Sequence, residues 1–249
     1  MKRQLSPYEK THLRRFNKND ISVTDYGEMP VEYITGKVEF CEQIFEVNSS
    51  VLIPRIESEK LVDLAQEQID HLKNKKVTIA DVGCGSGAIS ISLWLKLKKN
   101  IDTKLYLSDI SATALVVTKK NIERLIGKTD KIEVLKSDLL KNYPEKIKFD
   151  LIIANLPYIP AERISVLDKS VREYEPHLAL NGGVDGLEHI KKLVKQAQSK
   201  LSPKGIILLE VDYTHDKKFL MENLQLDGLI LKVERDQFQR TRFIILSKN

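Results

Sequence analysis

An α/β fold, with a mostly parallel sheet covered on both faces by helices and ending in an antiparallel hairpin, follows from three observations. Strand-like and helix-like segments alternate from about residue 77 onward, the pattern of βαβ units. The first of them runs straight into a glycine-rich turn and a helix, in Thr78-Ile79-Ala80-Asp81-Val82-Gly83-Cys84-Gly85-Ser86-Gly87-Ala88. The last two strand-like segments, 228–234 and 242–246, leave no room for a helix between them, so they pair as a hairpin and make at least one strand antiparallel.

From residue 1 to about 30 the chain is polar and charged, with Arg14, Arg15, Lys18 and Asp20 close together and few periodic apolar positions, which reads as a short arm. Residues 31–53 alternate polar and apolar around Gly36, as in Val38-Glu39-Phe40 and Ile44-Phe45-Glu46-Val47, which suits a two-stranded hairpin ended by Pro54. Leu61, Val62, Leu64, Ala65 and Ile69 then fall on helical spacing. This helix leads into a main domain over 77–249, so the organisation expected is arm 1–30, hairpin and lead-in helix 31–76, and main domain. Within the last, strands are expected at 77–82, 104–108, 131–135, 149–154 and 205–211, with helices beginning near Ala88, Ala112 and Leu187. The long connection from Ala154 to Gly186 is rich in Pro, Glu and Gly. Long loops at the carboxyl ends of parallel strands are where such sheets carry function.

Length and composition bound the rest. With 249 residues, 42% hydrophobic and 30% charged, the chain can bury a full core, and a disordered or collagen-like polymer is excluded. Lys and Arg number 40 against 35 Asp and Glu, for a net charge of +5, too small to establish a nucleic-acid partner. Lysine clusters at Lys73, Lys75, Lys76 and at Lys96, Lys98, Lys99 could follow phosphates, but helix-end solvation explains them equally well. Two distant cysteines, Cys41 and Cys84, make neither a disulfide framework nor a zinc site, which fits a reducing cytoplasm. The five histidines form no ligand spacing, so no metal is expected. The amino terminus lacks a signal-like apolar stretch and no long apolar run occurs, so secretion and membrane spanning are not expected.

The glycine loop carries the strongest local chemistry. Glycines allow a tight turn and close approach of a ligand. The spacing is Gly-x-Gly-x-Gly, not the Gly-x-Gly-x-x-Gly of dinucleotide binders, and Asp81 precedes it. A carboxylate there repels a pyrophosphate and attracts a sulfonium or ammonium. The next strand ends at Asp109, 22 residues past Gly87, suited to accept hydrogen bonds from ribose hydroxyls; the third leads to Ser137-Asp138, an acceptor for an adenine amino group. Taken singly, the loop is as often a plain turn and the acid a helix cap. Together, three strand ends on one sheet edge point to S-adenosylmethionine.

The fourth strand runs into Asn155-Leu156-Pro157-Tyr158-Ile159-Pro160. The two prolines stiffen this turn. The Asn155 side-chain oxygen, the Leu156 carbonyl and the flat face of Tyr158 suit a planar group bearing an NH₂. Methylating such a nitrogen requires its lone pair to be aimed at the methyl donor and needs no strong base. The plain alternative is a rigid loop entry with an Asn turn.

On these residues the chain resembles the HemK/PrmC family of protein-(glutamine-N5) methyltransferases, which modify peptide chain release factors. The resemblance covers about residues 31–249 and rests on Tyr33-Ile34-Thr35-Gly36 with Glu39-Phe40, Val51-Leu52-Ile53-Pro54-Arg55-Ile56-Glu57-Ser58-Glu59, Asp81 to Gly87, Ser108-Asp109-Ile110-Ser111, Asn155 to Tyr158, and Tyr174-Glu175-Pro176 through Asp185-Gly186-Leu187. It implies a Rossmann-like, class I, seven-stranded S-adenosylmethionine-dependent methyltransferase fold, and a glutamine amide held by Asn155, Leu156, Pro157 and Tyr158. It implies donor contacts at Asp81, Gly83, Cys84, Gly85, Ser86, Gly87, Asp109, Ile110, Asp138, Leu139 and Asn155. Asn155, Pro157 and Tyr158 are the catalytic candidates, and Arg55 and Glu57 resemble structural or gating residues, or caps of the helix that begins there.

Three departures stand out: Leu156 where the family has Pro, a form shared with adenine-N6 dimethyltransferases of ribosomal RNA; Ile56 and Ser58 in a segment that is otherwise Pro-Arg-Pro-Glu-Thr-Glu; and only about 30 residues ahead of the Tyr33 segment, where release-factor-modifying members carry a longer helical domain. The leading expectation is methylation of a release factor glutamine in the cytoplasm. An exocyclic-amine methyltransferase on RNA or DNA, a ribosomal-protein substrate, a non-catalytic donor-binding scaffold and, less fitting, a dehydrogenase are the alternatives.

Overall fold

The computed structural model describes residues 3–18, 23–72, 76–97, 101–236 and 238–248; Asp20, Lys73, Lys75, Lys98 and Lys99, singled out above, lie outside them. The chain opens with helix α1 (Pro7–Arg15), started by a capping box in which Ser6 Oγ accepts the Glu9 N–H and the Glu9 carboxylate accepts the Ser6 N–H. Within the segment that reads as a polar arm, Pro7–Arg15 is thus helical and buries His12 and Leu13. A second correction follows. The alternation at residue 31 begins not with a strand but with a short helix, α2 (Val31–Thr35), set between Pro30 and Gly36, which closes it at φ 71°. The hairpin comes next as β1 (Lys37–Phe40) and β2 (Gln43–Glu46), antiparallel, and then the lead-in helix α3 (Glu59–Leu72).

The main sheet is built by β3 (Lys76–Val82), α4 (Ala88–Lys96), β4 (Asp102–Asp109), α5 (Ala112–Leu125), β5 (Ile132–Lys136), β6 (Phe149–Ala154), α6 (Lys169–Tyr174), α7 (Glu188–Ala197), β7 (Leu201–Glu210), α8 (Lys217–Asn223), β8 (Leu229–Arg235) and β9 (Thr241–Lys248). Its seven strands lie in the order β5-β4-β3-β6-β7-β9-β8, as expected for the class I methyltransferase fold. The terminal hairpin does not add strand by strand: β9 inserts between β7 and β8 and runs antiparallel to both.

The central strands are apolar on both faces, as a covered parallel sheet requires. In β6, Leu151 and Ile153 enter the core shared with α3, α4, α5 and the hairpin, while Ile152 and Ala154 enter the core under α7. The strand order reverses between β3 and β6, so the carboxyl ends of these neighbours open a crevice at the switch point. The hairpin is tied to this edge by Asn121 of α5, which donates to the carbonyls of Glu46 (3.0 Å) and Ser86 (2.9 Å) and accepts the Glu46 N–H at 2.7 Å.

Candidate active site

At the switch point lies a cavity of about 490 Å³, within the size range of small-molecule sites. Its floor is the strand ends: Gly83 and Gly85 after β3, Asp109 and Ile110 at β4, Asp138 and Leu139 after β5, and Asn155, Leu156 and Pro157 after β6. Its walls are segments 49–52 and 176–179, with His189 and Lys192 from α7. Nine of the residues singled out from sequence therefore share one cavity. Asp81, Cys84, Ser86, Gly87 and Tyr158 do not line it.

The glycine loop is held from behind. The N–H groups of Gly83 and Cys84 both donate to the Ser108 carbonyl, at 2.8 and 2.9 Å, and Thr118 Oγ1 donates to the Gly85 carbonyl at 2.7 Å. Gly83, Gly85 and Gly87 all have positive φ, from 55° to 79°, where L side chains are strained. A Cβ on Gly83 would stand 2.8 Å from Leu156 Cδ2, whereas one on Gly85 would meet nothing within 4 Å. The first glycine thus admits the buried Leu156 side chain, so the two functional turns pack directly on each other. The second leaves its open side to a ligand.

Asp109 Oδ2 accepts the Gly85 N–H at 3.0 Å and its Oδ1 accepts the Ser111 N–H at 2.8 Å. The cap of α5 is Ser111, so Asp109 keeps lone pairs for a ligand's hydroxyls. Burial pushes its carboxyl above the ordinary value, opposed by the Ser111 and Gly85 N–H groups. Asp138 pairs with Lys141 at the rim. Leu139 has φ 54°, a strained conformation for a branched residue and one that clusters at ligand sites. Asp81 is buried under the loop with Oδ2 lacking a partner, and burial lifts its carboxyl to about 7, with Asp109 adding to the rise. These features fit a ligand with a ribose and a cationic centre.

The Asn155 turn is anchored by residues sequence reading missed. Asn155 Nδ2 donates to Ser58 Oγ (3.1 Å) and to Glu210 Oε2 (3.0 Å). Ser58 Oγ donates to the same Oε2 at 2.6 Å, and Tyr158 Oη donates to Oε1 at 2.9 Å. Arg242 Nη2 lies 3.0 Å from Oε1 and donates to Tyr158 Oη at 2.8 Å. Glu210, at the end of β7, is fully buried; desolvation raises its carboxyl and Arg242 opposes the rise. The Tyr158 hydroxyl is pushed far up by burial and by Glu210. An apolar run ending in one acid is the only local sign of Glu210.

The long connection folds back over this turn. Ile159 bridges Asn181, and the Gly182 N–H donates to the Ile159 carbonyl at 2.9 Å. Gly186 is forced: a Cβ there would lie 2.3 Å from the Tyr158 carbonyl oxygen. Arg55 stands at the N-cap of the short turn Ile56–Ser58 but its side chain makes no cap bond; it pairs instead with the buried Glu175, which also accepts the Ile53 N–H at 3.2 Å, and so ties the two cavity walls together. Lys96, a candidate phosphate contact, pairs with Asp63 at 2.8 Å.

Residues 40–184 match the model of the methyltransferase small domain. A release factor glutamine methyltransferase of Clostridium acetobutylicum is 36% identical over 223 residues, covering 88% of this chain and 75% of that one. One of Leptospira interrogans is 35% identical over 219 residues, covering 88% and 75%. Among solved structures, a ribosomal protein L11 methylase of Lactobacillus delbrueckii subsp. bulgaricus shares the fold, with TM-score 0.54 and 22% identity, covering 78% of this chain and 81% of that one. With a donor-sized cavity at the switch point, an Asn-Leu-Pro-Tyr turn packed on its glycine loop, and this likeness along most of its length, the chain belongs to the release factor glutamine methyltransferases, built on the methyltransferase small domain.

Proposed function

We propose that this chain methylates the side-chain amide nitrogen of a glutamine in a peptide chain release factor, using S-adenosylmethionine. One observation carries the reading: Asn155 lies in the cavity lined by the glycine loop and Asp109, with Leu156 packed against Gly83. Glycines 83 and 85, Asp109, Ile110, Asp138 and Leu139 would hold the donor, which supplies an electrophilic sulfonium methyl when bound. Asp81, buried under the loop with its carboxyl lifted to about 7, would be drawn toward its ionised form by a cationic centre bound above it.

The amide nitrogen is a poor nucleophile because its lone pair is delocalised into the carbonyl. The Asn155 oxygen and the Leu156 carbonyl would accept the two N–H bonds and orient the nitrogen lone pair toward the donor's part of the cavity, which replaces the entropy of a chance encounter by a fixed geometry. Leu156 in place of proline leaves its backbone carbonyl available. Pro157 restricts the turn, and Tyr158 is held by Glu210 and Arg242. No side chain of the turn acts as base: Asn155 does not titrate, and the Glu210 carboxylate already faces four donors. Methyl transfer would break the S–C bond, leave the donor as a neutral thioether and form an N–C bond, after which the cationic nitrogen would give its proton to solvent.

The reaction belongs in the cytoplasm, where release factors meet the ribosome. Two free thiols suit that compartment, and among the described residues no helix is long and apolar enough to cross a membrane. The test incubates the protein and labelled S-adenosylmethionine with unmethylated release factor, with ribosomal protein and with ribosomal RNA in parallel. Label on one glutamine of the release factor, located by peptide mass spectrometry, is expected. Label on either other substrate and none on the release factor refutes the assignment.

A further inference from the structure

Building on the reading that Asn155 accepts a hydrogen bond from the substrate amide, we infer that Glu210 is a positioning residue, which with Arg242 fixes the end of the Asn155 side chain that faces the cavity. A primary amide has two flips of nearly equal shape and opposite hydrogen-bonding sense. One flip offers an oxygen to the incoming NH₂. The other sets NH₂ against NH₂.

The choice propagates from a group that has no choice. Guanidinium only donates, and Arg242 Nη2 reaches both Glu210 Oε1 (3.0 Å) and Tyr158 Oη (2.8 Å). Tyr158, already accepting from Arg242, gives its own proton to Oε1 at 2.9 Å. The other carboxylate oxygen, Oε2, takes the Ser58 hydroxyl at 2.6 Å and faces Asn155 at 3.0 Å. With Arg242 and Tyr158 donating to one oxygen and Ser58 to the other, Glu210 presents only acceptors to Asn155, so Asn155 meets it with Nδ2. The reversed flip would press two acceptor oxygens together inside a site that excludes water, at the cost of an unmade buried hydrogen bond. The Asn155 oxygen is thereby left for the cavity before any substrate arrives. Glu210 touches neither reactant in this account. It acts through Asn155.

The test exchanges the two functional groups. In Glu210→Gln, Arg242 retains the carbonyl oxygen of the new side chain, so the new NH₂ falls toward Asn155, which turns its oxygen inward and its NH₂ to the cavity. The turnover number on release factor is expected to fall by about 10²-fold, the scale of one lost orienting contact. The Kd for S-adenosylmethionine should stay within about threefold; Tm should fall, because Arg242, 14% exposed, loses its counter-charge, so turnover is read well below the variant's melting range. Adding Asn155→Asp places an acceptor on both sides of residue 155 and keeps a single carboxylate in the pair. The double variant should then turn over at least about tenfold faster than Glu210→Gln alone. Turnover of Glu210→Gln within about threefold of the parent, or no recovery in the double variant, overturns the inference.

A readout that needs neither activity nor a variant accompanies these. In ¹⁵N-labelled protein the Asn155 NH₂ protons, assigned through bonds, should exchange with solvent far more slowly than those of exposed asparagines. Exchange as fast as theirs overturns the inference even if methyl transfer occurs. Slow exchange in a protein that methylates only RNA would sustain it while the release-factor reading falls.

Discussion

Replacing Asn155 by alanine removes two things: the side-chain oxygen that the proposed mechanism offers to the substrate, and one of the four donors around the Glu210 carboxylate. Ser58 at 2.6 Å, Tyr158 at 2.9 Å and Arg242 at 3.0 Å remain on that carboxylate, so the cost to stability is that of one buried hydrogen bond, about 1–2 kcal/mol. The cost to catalysis is larger. A preorganised polar contact to the reacting group in a water-poor site contributes about 3–4 kcal/mol, or 10²–10³ in rate. In the proposed mechanism donor binding rests mainly on Asp109 and the glycine loop, so its Kd should change by no more than about threefold. The assay is steady-state transfer of labelled methyl to release factor, with isothermal titration of S-adenosylmethionine and a melting curve on the same preparation. Turnover within about tenfold of the parent, or donor affinity that falls in parallel with turnover, would refute the role given to this residue.

Gly83→Ala should lower Tm by about 3–6 °C, since a left-handed alanine costs about 1–2 kcal/mol, and should slow methyl transfer more than it weakens donor binding, because its Cβ would stand 2.8 Å from Leu156 Cδ2; equal transfer by the two proteins would contradict the packing of the turns. Asp81 has a folded-state pKa raised from 3.8 to about 7, so the folded protein holds a proton that the unfolded chain releases, and its contribution is present below about pH 4 and lost as pH rises toward 7. Between pH 5 and 7 the parent should therefore lose about 2–3 kcal/mol relative to Asp81→Asn, at about 1.4 kcal/mol per pH unit, in urea unfolding; parallel pH profiles would show that the buried carboxyl does not titrate there. Arg55→Ala leaves the Glu175 side chain, 1% exposed, without its cation. Urea unfolding should show a loss of about 3 kcal/mol, at the low end for a broken buried pair because Arg55 itself is one-third exposed; an unchanged midpoint would mean the walls are held by other contacts.

The periodic elements were legible because their signals are local. Leu151, Ile152, Ile153 and Ala154 alternate between two cores, and a run apolar at every position reads as a strand buried on both faces. The alternation of such runs with helical spacing, and the glycine turn between β3 and α4, pointed to the switch-point crevice. Short elements escaped where local signals were weak or of another kind. Helix α8 has seven residues with Leu220 as its only buried one, too little for a periodic stripe, and α1 is announced by a capping box more than by an apolar face.

From its own residues the chain determines a covered parallel sheet with a glycine-lined pocket and a stiff Asn-Leu-Pro-Tyr turn beside it, because period, turn chemistry and capping act between neighbours a few positions apart. Tertiary structure alone decides how that turn is set. Glu210 meets Ser58, Asn155 and Tyr158 across 152, 55 and 52 positions of sequence, and Arg55 meets Glu175 across 120. No local pattern marks an acid at a strand end as the centre of a hydrogen-bond cluster. Which groups donate and which accept becomes determined only when folding removes water and leaves each buried polar atom one set of partners.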